Sequence, residues 1–253
     1  MPVDPAFAAL RETLDQRHRD ATAAAFAHAE DGLLRTGLPE FDRILGGGFP
    51  RGTIAALEGP PSSGRSSLAA RLLAVATHRG LGALIGTDLF PPALAAAGVR
   101  LDRLMCVPVT EPLGTARAAD IVLRSGAFGV VVIPALPSGR GTGPAMWTRL
   151  ASLAHRSNAL LVALGVEASS ELRYFASVLV ETTIERVRWN GTSGHLCELA
   201  GYDVRATVRK HKRAAPGAST LIACAPFEDR PRLVAIRERE LTTQTPAIAA
   251  AWA

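Results

Sequence analysis

Between residues 53 and 165, short apolar segments alternate with longer segments of helical periodicity. The apolar segments predict strands over residues 53–58, 82–87, 129–133 and 159–165, and the segments between them predict helices over residues 66–78, 115–125 and 144–156. Strands that are apolar throughout and separated by helices are typical of a parallel sheet covered on both faces. The sequence therefore predicts an α/β fold with a doubly wound, mostly parallel sheet flanked by helices.

The strands predicted after residue 170 follow one another without a helical segment between them. They cover residues 175–188, 202–209, 220–225 and 232–236. Strands joined without a crossover helix pair most simply as antiparallel neighbours. We therefore expect an antiparallel extension of the sheet toward the C-terminus.

The chain has 253 residues and is 48% hydrophobic, which is enough for one large core. Near the N-terminus, Phe7, Leu10 and Leu14 recur at helical spacing, and this amphipathic pattern suits either packing on the chain's own core or docking on a neighbouring protomer. The expected divisions are an N-terminal helical arm at 1–35, a core at 36–240 and a flexible tail at 241–253.

Composition excludes several classes of protein. Cys106, Cys197 and Cys224 lie far apart and form no CxxC pair, so neither a zinc site nor a disulfide framework is expected. Charged residues stand where a signal peptide would be apolar, and no apolar run approaches the roughly 20 residues of a membrane span. We expect a cytoplasmic protein that does not bind membranes. The net charge of +5 is compatible with nucleic acid, but an arginine-rich composition explains it equally well.

A glycine- and serine-rich segment at residues 59–67 lies between a predicted strand and a predicted helix, which is the context of a phosphate-binding loop. Such loops surround phosphates with backbone N–H groups and place a lysine ammonium on the β and γ oxygens. Arg65 occupies the lysine position, and its guanidinium is broader than an ammonium. The segment therefore predicts a tight turn without ligand or a degenerate phosphate loop formed by Gly59, Ser62, Ser63, Gly64, Arg65, Ser66 and Ser67.

ATP hydrolysis also needs a carboxylate that orders magnesium at the end of a neighbouring buried strand. The candidate strand ends at Pro134, which supplies no ligand. Asp88, at the end of another strand, suits either a water-positioning residue or a solvated carboxylate. We therefore expect no catalytic residues, no metal site, no bound ATP or other cofactor, and no ATP turnover.

In their order along the chain, motifs between Thr36 and Gly217 resemble those of bacterial RecA. The matching segments are residues 36–37, 45–46, 59–64, 124–127, 157–161, 172–178, 208–212 and 214–216. The resemblance implies a RecA-like α/β domain, which in RecA belongs to a filament-forming ATPase on single-stranded DNA. It also implies that Arg65 replaces a lysine, Pro134 an aspartate and Asp88 the catalytic glutamate.

Other departures from RecA concern nucleotide sensing and DNA binding. RecA has a glutamine in the region of Val166, whose side chain cannot hydrogen-bond. The next loop contains only residues 167–171, where RecA has a much longer segment that contacts DNA. Two acidic residues in so short a loop oppose binding to a phosphate backbone. In the other DNA-facing loop, Arg140 remains as the expected contact with single-stranded DNA.

Within the RecA superfamily, the chain is most similar to ImuA. The features shared with ImuA are the lost catalytic groups, the expected lack of the separate C-terminal domain of RecA, and the stretch of residues 46–52. ImuA proteins act beside RecA and the polymerase-like ImuB in damage-induced translesion synthesis. The resemblance implies an accessory protein of SOS mutagenesis whose partners are RecA and an ImuB-like Y-family polymerase homologue. The alternatives are an ATP-dependent recombinase paralogue and a nucleotide-independent DNA-binding module.

Lys210 and Lys212 are the only lysines in the sequence, and they share a short basic segment with Arg213. The RecA resemblance implies that both lysines lie where a protomer reaches its neighbour's nucleotide. Because the chain's own phosphate loop is altered, we hypothesise that it docks on an active RecA subunit and ends the filament. A solvated strand end or a general DNA-binding patch would also explain the charges. The partner interface expected here comprises Lys210, Lys212, Arg213, Phe7, Leu10 and Leu14.

Overall fold

The structure is a computed structural model that describes residues 32–86, 90–139, 141–190 and 198–224. Several sequence predictions lie outside the described residues: those for Phe7, Leu10, Leu14, Asp88 and Arg140, the strand at 232–236 and the tail at 241–253.

Ten strands and six α-helices occur in the described residues. The strands are β1 (Leu33–Leu34), β2 (Phe49–Pro50), β3 (Ile54–Glu58), β4 (Leu81–Ile85), β5 (Leu104–Val107), β6 (Phe128–Pro134), β7 (Leu160–Gly165), β8 (Val178–Asn190), β9 (Glu198–His211) and β10 (Ser219–Cys224). The helices are α1 (Pro39–Ile44), α2 (Arg65–Arg79), α3 (Pro91–Ala96), α4 (Pro112–Ser125), α5 (Pro144–Ser157) and α6 (Ser170–Phe175).

Eight strands form one sheet in the order β10-β9-β8-β3-β7-β6-β4-β5. The pairs from β8 to β5 are parallel, whereas β9 is antiparallel to β8 and β10 is antiparallel to β9. This topology confirms the predicted α/β fold and its antiparallel C-terminal extension. β1 and β2 form a separate antiparallel pair through Leu33 and Pro50, so residues just before position 36 also pack on the core.

Successive residues of the central strands point to opposite sides, so the sheet has two apolar faces. Helices cover both of them. On β6, Val131 belongs to the core under α4 and α5, whereas Val130 and Val132 belong to the core under α1 and α2. The first core contains the fully buried Trp147, and the second contains Phe41. The two cores hold the central strands in place, and the predicted phosphate loop lies at the end of one of these strands.

The strand predicted to begin at residue 175 was wrong at its start, because Phe175 is the last residue of helix α6. Ser169 caps this helix by accepting a hydrogen bond from the backbone N–H of Leu172 at 3.2 Å, so β8 begins only at Val178. The short elements α3 and β5 were also not predicted. In the part of the chain that the structure describes, no helix combines the length and apolar character of a membrane span.

Candidate functional site

The predicted phosphate loop lies at the carboxyl edge of the sheet, directly after the buried strand β3. Gly59 begins the loop, and its N–H donates to the carbonyls of Gly165 and Val166 at the end of β7. A side chain at Gly59 would collide with the backbone of Thr182 on β8, and one at Gly64, which has φ of 90°, would collide with Val204 on β9. Both positions therefore require glycine.

Two hydroxyl contacts attach the loop and the start of α2 to the antiparallel strands. The Ser63 and Thr182 hydroxyl oxygens lie 2.9 Å apart in a buried contact, and those of Ser67 and Tyr202 are also 2.9 Å apart. Burial raises the pKa of Tyr202 above its ordinary value, so this side chain stays a neutral phenol at physiological pH. The loop also contains Ser62 with a φ of 63°, a conformation that is uncommon outside glycine.

Arg65, the first residue of α2, folds back onto the loop that precedes it. Its Nη1 donates to the carbonyl of Gly59 and, at 2.7 Å, to the carbonyl of Pro60. The guanidinium is thus bound to acceptors of its own loop. A phosphate group entering the loop would have to compete for the donors of this side chain, or coexist with these contacts.

A cleft of about 390 Å³ lies between the loop and the paired strands β8 and β9. The structure brings together most of the predicted loop residues here, since the cleft is lined by Ser62, Ser63, Gly64, Arg65, Ser66 and Ser67. The opposite wall consists of Ile184, Val187, Leu199 and Tyr202. Among the residues that the structure describes, no carboxylate lines the cleft, and no group of three or more His, Cys, Asp or Glu side chains is suited to a metal.

Two further positions at which the sequence differs from RecA, Pro134 and Val166, lie at the same edge of the sheet. Pro134 ends β6 and is exposed, and it pairs with Leu164 of β7. Val166 follows β7 and is 60% exposed. Neither side chain offers an oxygen to magnesium or a hydrogen bond to a phosphate.

Sequence reasoning missed Glu58, the last residue of β3, because it interpreted that strand as apolar throughout. The Glu58 side chain is only 9% exposed, and its Oε2 accepts hydrogen bonds from Arg173 Nη2 at 2.9 Å and from the Ala168 N–H at 3.1 Å. Arg173 Nε also donates to the Ala168 carbonyl at 3.0 Å. Glu58 thereby fastens the loop at residues 166–169, between β7 and α6, to the central strand.

Lys210 has a role within its own chain. Its half-buried ammonium donates to the carbonyls of Arg173 and Tyr174, at 2.5 and 3.0 Å, in the last turn of α6. Burial and the nearby Lys212 lower the pKa of Lys210. A cation at a helix C-terminus satisfies carbonyls that have no partner in the helix and interacts favourably with the helix dipole. The neighbouring Lys212 and Arg213 are exposed.

The chain is similar in sequence to two RecA proteins and in fold to one solved structure. RecA of Ectopseudomonas oleovorans is 35% identical over 105 residues, which are 40% of this chain and 30% of that protein. RecA of Rubrobacter xylanophilus is 38% identical over 104 residues, with the same two shares. The crystal structure of the RadB recombinase aligns with a TM-score of 0.58 at 17% identity, covering 76% of this chain and 96% of that one.

The strand, loop and helix at the carboxyl edge of the sheet, together with these matches, define the chain as a member of the RecA-like recombinase superfamily. The chain spans about three tenths of the length of the RecA proteins that it matches. The family model described as "MT3502 N-terminal domain" matches residues 43–169, slightly more than half of the chain. The chain belongs to that family.

Proposed function

We propose that this protein is a catalytically degenerate RecA-like accessory protein of the DNA damage response. In this proposal it acts in translesion synthesis, like ImuA, by binding RecA and an ImuB-like polymerase homologue. It is not an ATPase, and the phosphate loop serves as a structural turn. The proposal goes beyond the superfamily assignment and depends on the state of that loop.

The observation that carries the proposal is the position of Arg65. The guanidinium binds two carbonyls of the loop, where a working loop would direct a cation toward phosphate oxygens. Magnesium prefers six oxygen ligands, whereas the loop supplies only hydroxyls such as Ser66 and the neighbouring strand ends in Pro134. These residues do not fit a magnesium nucleotide.

The surface around α6 supplies the partner interface in this proposal. An ammonium carries three N–H donors, and Lys210 uses two of them on the α6 carbonyls. The third donor, with the exposed Lys212 and Arg213, faces an acceptor on a RecA subunit. The helix holds Lys210 in one orientation, which reduces the conformational entropy lost on binding.

A binding assay with RecA filaments on single-stranded DNA tests this interface. We expect Lys212→Ala, which leaves the α6 contacts of Lys210 intact, to weaken binding by about fivefold, and the double variant with Lys210→Ala by more than about tenfold. Arg43→Ala, which removes a similar exposed charge from α1, serves as the control. Unchanged binding by the double variant, with circular dichroism showing a folded protein, would overturn the proposed interface.

An ATP-dependent recombinase paralogue is the second candidate, and the geometry of the loop favours it. Gly64 keeps its left-handed conformation, α2 begins directly after it, and the first turn of α2 contains no acidic residue to repel phosphate. Phosphate release from Mg-ATP, measured with single-stranded DNA, distinguishes the candidates. The accessory protein gives no release above a protein-free blank, and the paralogue gives release that depends on DNA.

A further inference from the structure

A groove of about 880 Å³ lies where the C-terminal end of α4 meets α5, on the face of the sheet opposite to α2. Arg124 of α4 and Arg149 and Arg156 of α5 line this groove, together with hydroxyl side chains such as Thr148 and Ser152. Its lining contains no acidic residue among the described parts of the chain. The groove is therefore a concave, positively charged surface distinct from the phosphate loop.

One carboxylate orients two of these arginines. The Asp120 side chain is 15% exposed, and it accepts hydrogen bonds from Arg124 Nη2 and from Arg149 Nε and Nη2. These bonds leave most of the five N–H donors of each guanidinium unused by Asp120. Both arginine side chains are about 60% exposed. Asp120 thus fixes two guanidinium groups, one from each helix, without removing them from the surface.

The spacing of the cations suits a polypeptide ligand. Arg149 and Arg156 are seven residues apart on α5, which places them on one side of the helix about 10 Å apart along its axis. Guanidinium groups held in fixed orientation bind carboxylates through paired N–H donors. We propose that the α4–α5 groove binds an acidic protein segment whose carboxylates pair with Arg124, Arg149 and Arg156.

The local charge favours a protein segment over nucleic acid. Three arginines and Asp120 give this surface a net charge of +2, and Asp120 lies beneath two of the three cations. Affinity for nucleic acid grows with the number of phosphates that the protein neutralises. A net charge of +2 therefore supports only weak binding of nucleic acid. An acidic protein segment, by contrast, needs only one arginine on this surface for each carboxylate that it pairs.

Fluorescence anisotropy with the full chain tests the proposal. The probe is a labelled peptide in which glutamate and alanine alternate, and a glutamine–alanine peptide and an oligothymidylate of equal length are the comparisons. We expect the glutamate peptide to bind at least about tenfold more tightly than either comparison. The double variant Arg149→Gln with Arg156→Gln loses about tenfold in affinity for the peptide, whereas Arg43→Gln on the opposite face changes it less than about twofold.

The variant Asp120→Asn separates an oriented site from a diffuse positive surface. It raises the net charge by one, so a diffuse surface would bind the acidic peptide more tightly. An oriented site instead loses about threefold in affinity, because the guanidinium groups are no longer held. Circular dichroism establishes that each variant is folded. Tighter binding by Asp120→Asn, peptide binding that ignores the arginine substitutions, or equal arginine-dependent binding of the oligothymidylate would each overturn the proposal.

Discussion

Two loops at the same edge of the sheet are held in opposite ways. The phosphate loop at residues 59–67 is closed by the partly exposed guanidinium of Arg65 on backbone carbonyls. The loop at residues 166–169 is held by the buried carboxylate of Glu58. Exposed polar contacts contribute little and exchange with water, whereas breaking a buried charged contact is costly. The contact that closes the first loop is therefore the weaker one, whereas the second loop is a fixed part of the core.

The two loops are held by adjacent residues: Gly59 begins the phosphate loop, and Glu58 holds the loop after β7. Glu58 joins β3 to α6, and Lys210 then caps α6. Glu58 and Lys210 do not line the cleft of the phosphate loop, but Gly59 of that loop donates to the Val166 carbonyl, so the two loops are in direct contact. We infer that Glu58 and Lys210 together hold α6 in place without nucleotide.

Removing the buried carboxylate should have the largest effect. Glu58→Gln removes the closer of the two carboxylates that pair with Arg173, leaving the exposed Glu167 at 3.6 Å, and gives the Ala168 N–H a weaker acceptor. We therefore expect a loss of about 3 kcal/mol in the free energy of unfolding. Urea denaturation measures this loss. Glu40→Gln, at a surface pair with Arg43, is the control and should cost less than about 0.5 kcal/mol. Equal costs for the two variants would remove the distinction between the loops.

Restoring the missing groups should turn the first loop into a ligand site. We expect the double variant Arg65→Lys with Pro134→Asp to be stabilised by Mg-ATP, by about 2.7 kcal/mol when the nucleotide is at 100 times its dissociation constant. The lysine frees the loop carbonyls, and the aspartate supplies an oxygen ligand to magnesium. Thermal unfolding with and without Mg-ATP measures the gain, with Arg43→Lys as the control. If Mg-ATP did not stabilise the double variant, residues other than Arg65 and Pro134 would be what prevents nucleotide binding.

The cap on α6 predicts a smaller effect. Lys210→Met removes two hydrogen bonds to helix carbonyls, so unfolding should become easier by about 1 kcal/mol. Lys212→Met, at an exposed neighbour, should change stability by less than about 0.3 kcal/mol. Urea denaturation compares the two variants. If Lys212→Met were the more damaging, α6 would not depend on Lys210.

The contact between Tyr202 and Ser67 predicts the smallest effect and a dependence on pH. Tyr202→Phe should cost about 0.5 kcal/mol at neutral pH, since it removes one partly exposed hydrogen bond. Folding raises the pKa of Tyr202, so the phenol contributes fully below its ordinary pKa of 10.0, and this contribution is lost as the pH rises through the folded value. Thermal unfolding at neutral and alkaline pH measures the difference between the proteins. An advantage of the wild type that grew with pH would contradict this assignment.

The sequence predicts the parallel half of the sheet well because the periodic signals are strong there. The predicted helix at 66–78 and strand at 129–133 agree with α2 and β6 to within two residues at each end. The short elements β5 and α6 escape prediction, because four to six residues carry too little periodicity. At the site, the phosphate loop could be predicted because its residues are consecutive in the sequence. The contact between Glu58 and Arg173 could not, because it joins residues 115 positions apart.

A titration of the wild-type chain with Mg-ATP, followed by thermal unfolding, tests most directly whether the phosphate loop is closed by Arg65. At millimolar nucleotide we predict a rise in unfolding temperature of less than about 1 °C, because a site without useful affinity adds almost no stability. A saturating rise of about 5 °C or more, accompanied by phosphate release, would contradict the account.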